Sequence, residues 1–413
     1  MRRSPDGLTA HPAPGARVVL GVGAGIAAYK SCELLRLLTE SGHRVRVVPT
    51  RDALRFVGEA TWAALSGEPV TSDVWDDPHE VAHVRIGQAA DLVLVAPATA
   101  DLMARATAGA ADDLLTTVLL TARCPVLFAP AMHTEMWLHP ATQDNVSLLR
   151  SRGAVVLEPA AGRLTGADSG PGRLPEPAEI FAVALRVLER GAGGLLPDLS
   201  GRRVVVSAGG TREELDPVRF LGNWSSGRQG YALARTAAAR GAKVTLVAAN
   251  TELEDPAGTQ VVRVTSALQM RDAVTSAAVE ADAVVMAAAV ADYRPETRSG
   301  TKIKKTGSAP EPVRLLQNPD ILAELSRNRT RPDQVIVGFA AETDHVLEGG
   351  RAKLAAKGCD LLVVNQVGSG LAFGTSDNQA VVLGADGTET MVPTGPKEAL
   401  ADVIWDLVAA RFS

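Results

Sequence analysis

Apolar and polar positions along this chain alternate between two rhythms. Short runs rich in Val and Leu, closed by Gly or Pro, predict buried strands. Between them apolar residues return at helical spacing. In the first half Arg17–Leu20 reads as a strand, followed by GVGAGIAAYK and a helix continuing through Leu38. Gly42 ends that helix and Val45–Val48 forms the next strand. Further strands are expected at Leu92–Ala96 and Val126–Ala129, each running into a loop that contains Pro. The second half repeats the plan with Val204–Ser207, a long polar loop, a helix Gly230–Arg240, Gly241 and the strand Lys243–Val247. Ala283–Met286, Val335–Val337 and Leu361–Val364 complete its strands. Alternation of this kind predicts an α/β chain of two doubly wound, Rossmann-like domains, with sites at the carboxyl ends of parallel strands.

The stretch Glu189–Gly201, ERGAGGLLPDLSG, is rich in Gly and weak in periodicity, so it reads as the linker. The expected organisation is a disordered N-terminus (1–16), a first domain (17–188), the linker (189–201) and a second domain (202–413). Length agrees, since 413 residues exceed the usual single domain. Hydrophobic residues make up 46% and charged residues 22%, a balance that fills globular cores, while a net charge of −5 gives no basic face for nucleic acid. Cys32, Cys124 and Cys359 show no metal-ligand or disulfide spacing. No signal peptide or membrane-spanning run is read, so a soluble cytoplasmic protein is expected.

Candidate chemistry gathers where strands end. Gly21, Gly23 and Gly25 follow a strand and open a helix, the context of a phosphate-binding turn. The acid that would hold an NAD ribose is missing after the next strand, where Pro49-Thr50 stands, so FMN fits better than NAD. Pro97-Ala98-Thr99-Ala100 and Pro130-Ala131-Met132-His133 point into the same crevice, and His83 is the sharpest histidine for a polar role. In the second half, more than a dozen residues separate Gly210 from Ser225, so the loop before the helix is long enough to touch substrate. KIKK (Lys302–Lys305) supplies mobile positive charge for polyphosphate, and Asp292 or Asp320 can hold Mg²⁺ or meet the nucleotide. No GxxxxGK[ST] loop occurs, which argues against a P-loop ATPase.

GIAAYK, AHVRI, APATADLMARATAGAADDLL, PAMHTEMW and GPGRLPEP together resemble the FMN-dependent phosphopantothenoylcysteine decarboxylases. The resemblance implies oxidation of the substrate's cysteinyl thiol to a thioaldehyde, loss of carbon dioxide, then reduction and protonation of the enethiolate. It places the essential histidine on His83, FMN at Gly23, Gly25, Thr50 and Pro97–Ala100, and substrate at Asp168. Two departures stand out. The family's PAMN reads PAMH, giving His133 in place of Asn. The flap's proton-donating Cys falls on Gly166, so either this half is inactive or His133, Thr165 or a water donates the proton.

The second half resembles the CTP-dependent phosphopantothenate–cysteine ligases through NWSSG, MAAAVADYRP, KIKK, NPDIL, GFAAET and KLAAKG. That resemblance implies attack of the 4′-phosphopantothenate carboxylate on CTP, giving an acyl-cytidylate that cysteine then converts to the amide. It places Asn223 on the intermediate, Lys302 in catalysis and Arg219 on substrate. CTP falls on Met286, Ala287, Ala288, Asp292, Lys302, Pro319, Asp320, Ile321, Leu322, Phe339, Lys353 and Lys357, with Asp292 also holding Mg²⁺. The two halves in this order are similar to bifunctional bacterial enzymes of coenzyme A synthesis, in an actinobacterial-like variant with PAMH and no flap Cys. The family implies a homo-oligomer, a dodecamer built from trimeric flavin halves and dimeric ligase halves. The alternative readings are an active ligase whose flavin half is only structural, and a flavin oxidoreductase fused to a nucleotide-binding domain.

Overall fold

The structure, a computed structural model, describes residues 15–70, 82–164, 169–190, 197–304, 312–342, 346–366 and 377–412. It divides into two compact units, with the division between Asp198 and Leu199. Most of the expected disordered N-terminus, and linker residues 191–196, lie outside the described residues.

The first unit runs β1 (Arg17–Val22), α1 (Lys30–Glu40), β2 (Arg44–Pro49), α2 (Glu59–Ser66), α3 (Ala82–Ala89), β3 (Leu92–Ala98), α4 (Ala100–Ala108) and α5 (Leu114–Thr121). It continues through β4 (Val126–Pro130), α6 (Thr134–Leu138), α7 (Pro140–Ser151), β5 (Val155–Val156), β6 (Ala160–Arg163), β7 (Ser169–Arg173) and α8 (Pro177–Arg190). Five parallel strands form one sheet in the order β2-β1-β3-β4-β5. This is the flavodoxin-like order, whose winding reverses between β1 and β3. One face buries Val19, Val93, Val95 and Phe128 under Leu102, Leu115 and Val146. Apolar positions on α1 (Leu34, Leu35, Leu38) and α8 (Ile180, Val183, Val187) are also buried, and those two helices pack together. β6 and β7 form a separate antiparallel ribbon.

The second unit runs β8 (Arg203–Gly209), β9 (Arg212–Glu214), β10 (Phe220–Gly222), α9 (Arg228–Ala239), β11 (Lys243–Ala249), β12 (Thr259–Val264), α10 (Ala267–Ala278), β13 (Ala283–Met286), β14 (Tyr293–Pro295) and β15 (Leu315–Gln317). Then follow α11 (Ile321–Arg327), β16 (Val335–Glu342), α12 (Val346–Lys357), β17 (Leu361–Gln366), β18 (Asp377–Gly384), β19 (Glu389–Pro396) and α13 (Lys397–Ala409). Its sheet has the order β12-β11-β8-β13-β16-β17-β18-β19. The first six strands are parallel with the winding reversed between β8 and β13, the Rossmann arrangement.

Alternation along the strands fills both faces of that sheet. Val204, Val206, Val285 and Val337 pack with Tyr231, Leu233 and Trp405, whereas Val205, Val284 and Ile336 pack with Met270, Val274 and Ile321.

Two expectations need correction. The second sheet is not wholly parallel, because β18 and β19 pair antiparallel at its edge. The segment after Gly210 is not all loop, because β9 and β10 pair within it. The cysteines are unpaired, and burial pushes the Cys359 thiol up to about 11, leaving it a neutral core group. Among the described residues no helix is long and apolar enough to cross a membrane.

Candidate active sites

In the first unit the expected glycine turn and Pro97 loop meet where the winding reverses, at the carboxyl ends of β1 and β3. The Gly23 N–H donates to the Pro97 carbonyl at 3.0 Å, and a Cβ on Gly23 would stand 2.5 Å from that same oxygen. Only glycine allows this approach. Gly25 has extended backbone, and a Cβ there would meet nothing within 4 Å. The turn and the Pro97 loop therefore form one cradle facing open space. Thr99 caps α4 by accepting from the Leu102 N–H at 3.2 Å, which fixes the Pro97–Ala100 segment at a helix start. Thr50 is buried, and its hydroxyl accepts from the Ala53 N–H, so it shapes the neighbouring turn.

The PAMH loop joins the same edge. The Ala131 N–H donates to the Ala98 carbonyl at 3.1 Å, and the Met132 N–H donates to the Gly172 carbonyl at 2.9 Å. His133 is exposed at the start of α6, where its side chain makes no capping bond. His83 lies on α3, with its side chain outside the described residues. Thr165, Gly166 and Asp168 lie outside them as well.

In the second unit a cavity of about 1140 Å³ opens at the reversal between β8 and β13. It is bounded by Gly222–Gly230, by Ala287–Val290 with Asp292, by Phe339–Ala341, and by Lys353, Asn365 and Lys397. The start of α9 faces it, so unpaired helix N–H groups and the positive dipole end are directed at any ligand there. Its floor is fixed by a Gly210–Ala289 bridge and by two hydroxyls. Ser207 accepts from the Ala288 N–H at 3.1 Å, and Thr211 accepts from the Ala291 N–H at 2.9 Å. The Asn223 side-chain amide donates to the Val290 carbonyl at 3.0 Å, which holds it at the rim.

Asn223, Ala287, Ala288, Asp292, Phe339 and Lys353 thus meet in one cavity, while other expected residues fall outside its lining. Met286 is buried in the core, as is Ile321, and Leu322 packs against Gly338. Asp320 caps α11 by accepting from the Ala323 N–H and is ion-paired with Lys357, so its carboxylate is already engaged. Pro319 precedes that cap. Lys302 is exposed on a loop tied to Asp216, which accepts from the Ile303 N–H at 3.1 Å, while Arg219 donates to the Ile303 carbonyl. Arg219 also pairs with Asp216 at 2.6 Å. That guanidinium, helped by the Val218, Ile303 and Arg219 N–H groups, holds the Asp216 carboxyl well below the usual carboxylate range.

No group of three or more His, Cys, Asp or Glu side chains suited to a metal occurs among the described residues. Asp292 alone faces the cavity as an acid among the expected metal ligands.

Sequence reading missed Asn365 and Lys397. Asn365 lies near the end of β17, paired with Ala341, and its buried Oδ1 has no partner among the described residues. Only the strand order brings it to the cavity. Lys397 opens α13, far along the chain from every motif.

A flavodoxin-like unit followed by a Rossmann unit, each with a candidate site at its switch point, defines a two-part α/β class. Residues 8–189 match the family described as Flavoprotein, and residues 199–412 match the DNA/pantothenate metabolism flavoprotein C-terminal domain. Over 403 residues the chain is 61% identical to the coenzyme A biosynthesis bifunctional protein CoaBC of Mycolicibacterium smegmatis, covering 95% of this chain and 97% of the relative. The CoaBC of Vibrio parahaemolyticus is 42% identical over 391 residues, with 94% and 96% covered. A crystal structure of a CoaBC C-terminal domain is 34% identical and covers 52% of this chain and 97% of its own, with a TM-score of 0.45. The chain belongs to the CoaBC family of bifunctional coenzyme A biosynthesis proteins.

Proposed function

We propose that the second unit joins cysteine to 4′-phosphopantothenate at the expense of CTP, and that the first unit decarboxylates the product with FMN. The observation that carries the reading is the pair of switch-point sites on one chain, a glycine cradle in one unit and, in the other, a cavity faced by a helix start and two lysines. The product of the second site is the substrate of the first.

The cradle suits FMN because Gly23 lets the turn close on Pro97 while Gly25 leaves space beyond it. Bound there, FMN supplies the oxidising and reducing equivalents of the decarboxylation. The remaining work falls to the chain. Pro97–Ala100 orients the flavin, His83 handles the substrate's proton, and Asp168 contacts substrate. His133 donates the final proton in place of the missing cysteine, since its ring N–H is a proton donor where Gly166 has none.

In the cavity the α9 start holds the phosphate groups, and the amides near Phe339 read the pyrimidine. Lys353 in the lining, with Lys302 and Lys357 from outside it, neutralises charge, Asp292 meets Mg²⁺, and Asn223 binds the acyl-cytidylate. The assembly is a cytoplasmic homo-oligomer, a dodecamer.

The His133→Ala variant tests the proton assignment. Decarboxylation of supplied phosphopantothenoylcysteine should fall by about 100-fold with flavin retained and ligation unchanged. Full decarboxylation would show that His133 is not the donor.

A further inference from the structure

The β6–β7 ribbon is outside the five-stranded sheet, so its place in the first unit depends on particular contacts. Gly172 has a φ of +146°, and a Cβ there would collide with the Met132 carbonyl. The Cβ of any residue at 170 would stand 2.5 Å from the Thr134 hydroxyl. β7 is therefore pressed directly onto the Met132–Thr134 segment. Just beyond it, Glu176 gathers two cations from different elements. Lys30, the first residue of α1, donates to both carboxylate oxygens at 2.9 Å, and Arg173, the last of β7, donates to Oε1 at 2.8 Å. The Glu176 carbonyl also accepts from the Glu179 and Ile180 N–H groups, so its backbone is fixed at the start of α8.

This arrangement does more than join elements. One carboxylate faces two cations, so the cluster keeps a net positive charge. The Arg173 Nε is buried with no partner, and so is the Thr134 hydroxyl oxygen on the segment β7 covers. Unspent buried donors are costly unless something fills them. An anionic group would do so, with a charge-assisted bond.

We propose that Glu176 is a positioning residue for the decarboxylation: it holds Arg173 so that the guanidinium Nε–H is presented to an anionic group of the substrate. The proposal rests on the reading that the first unit decarboxylates phosphopantothenoylcysteine. In this proposal Arg173 binds an anionic group that takes no part in the bond changes, so the contact is made equally in ground and transition states. Its loss therefore raises KM and leaves kcat nearly unchanged.

The test uses the full-length, FMN-loaded protein with supplied phosphopantothenoylcysteine, ligation on the same preparation serving as the internal control. Glu176→Gln should raise KM about 10-fold, with kcat within about twofold and the bound-flavin spectrum unchanged. Arg173→Gln should raise KM at least as much. The double variant should be no worse than Arg173→Gln alone, because Glu176 works through Arg173. Glu176→Asp should recover part of the loss. Unchanged KM in Glu176→Gln, a fall confined to kcat, additive losses in the double variant, or loss of flavin together with thermal stability would each overturn the proposal. If the wild-type protein itself releases no carbon dioxide, the functional reading fails instead.

Discussion

Asn223→Ala is expected to lower cysteine ligation by about 100-fold or more, while decarboxylation of supplied phosphopantothenoylcysteine proceeds at the wild-type rate. The Asn223 amide is held by one bond, its N–H to the Val290 carbonyl at 3.0 Å, and it sits on the wall of the cavity facing the start of α9. Its side-chain oxygen and second N–H have no protein partner among the described residues, so both are available to a ligand. Alanine removes them without disturbing the glycines around it, and its small volume adds no clash. The loss should therefore appear in the rate of pyrophosphate release from CTP, followed in a single turnover with 4′-phosphopantothenate. A variant that both forms the cytidylate and converts it to the amide at full rate would remove Asn223 from the reaction.

The second large effect belongs to the other unit. Gly23→Ala should yield a protein that purifies without flavin and shows decarboxylation reduced by about 100-fold, with ligation intact. The new Cβ would lie 2.5 Å from the Pro97 carbonyl, the oxygen that already accepts from the residue's own N–H. Backbone meets backbone there, so no side-chain rotation relieves the contact, and the turn must open at a cost of about 1–3 kcal/mol. That opening separates the turn from the Pro97–Ala100 loop, the two parts that form the cradle. Flavin content measured from the visible spectrum, alongside the ligation rate, checks it. A yellow, fully active Gly23→Ala protein would show that the cradle lies elsewhere.

The strands were legible because each is a compact apolar run closed by Gly or Pro, and Ala283–Met286 carries the same bounds in sequence and structure. The glycine turn and the opening of α9 were legible for a related reason: both are written in adjacent residues. What escaped depends on distant register. The β18–β19 hairpin carries an Asp386-Gly387 turn, a strong hairpin signal, yet its place on the sheet edge follows only from pairing with β17. Asn365 and Lys397 reach the cavity because strand order and the α13 start deliver them, and neither has a local motif. Lys357 and Asp320 also depend on the fold. Along the chain they are two separate charges, and only the fold brings them together as an ion pair beside α11. The cluster at Glu176 was half visible, as GPGRLPEP was noticed while its partner Lys30 stands on a helix 146 positions away.

The most direct test of the two-site account follows one substrate through both units. Purified protein loaded with FMN is given 4′-phosphopantothenate, cysteine, CTP and Mg²⁺, and its products are identified by mass and by labelled carbon dioxide. The account predicts 4′-phosphopantetheine, with carbon dioxide, CMP and pyrophosphate released in equal amounts. Accumulation of phosphopantothenoylcysteine with no carbon dioxide, from protein that holds its flavin, would contradict it.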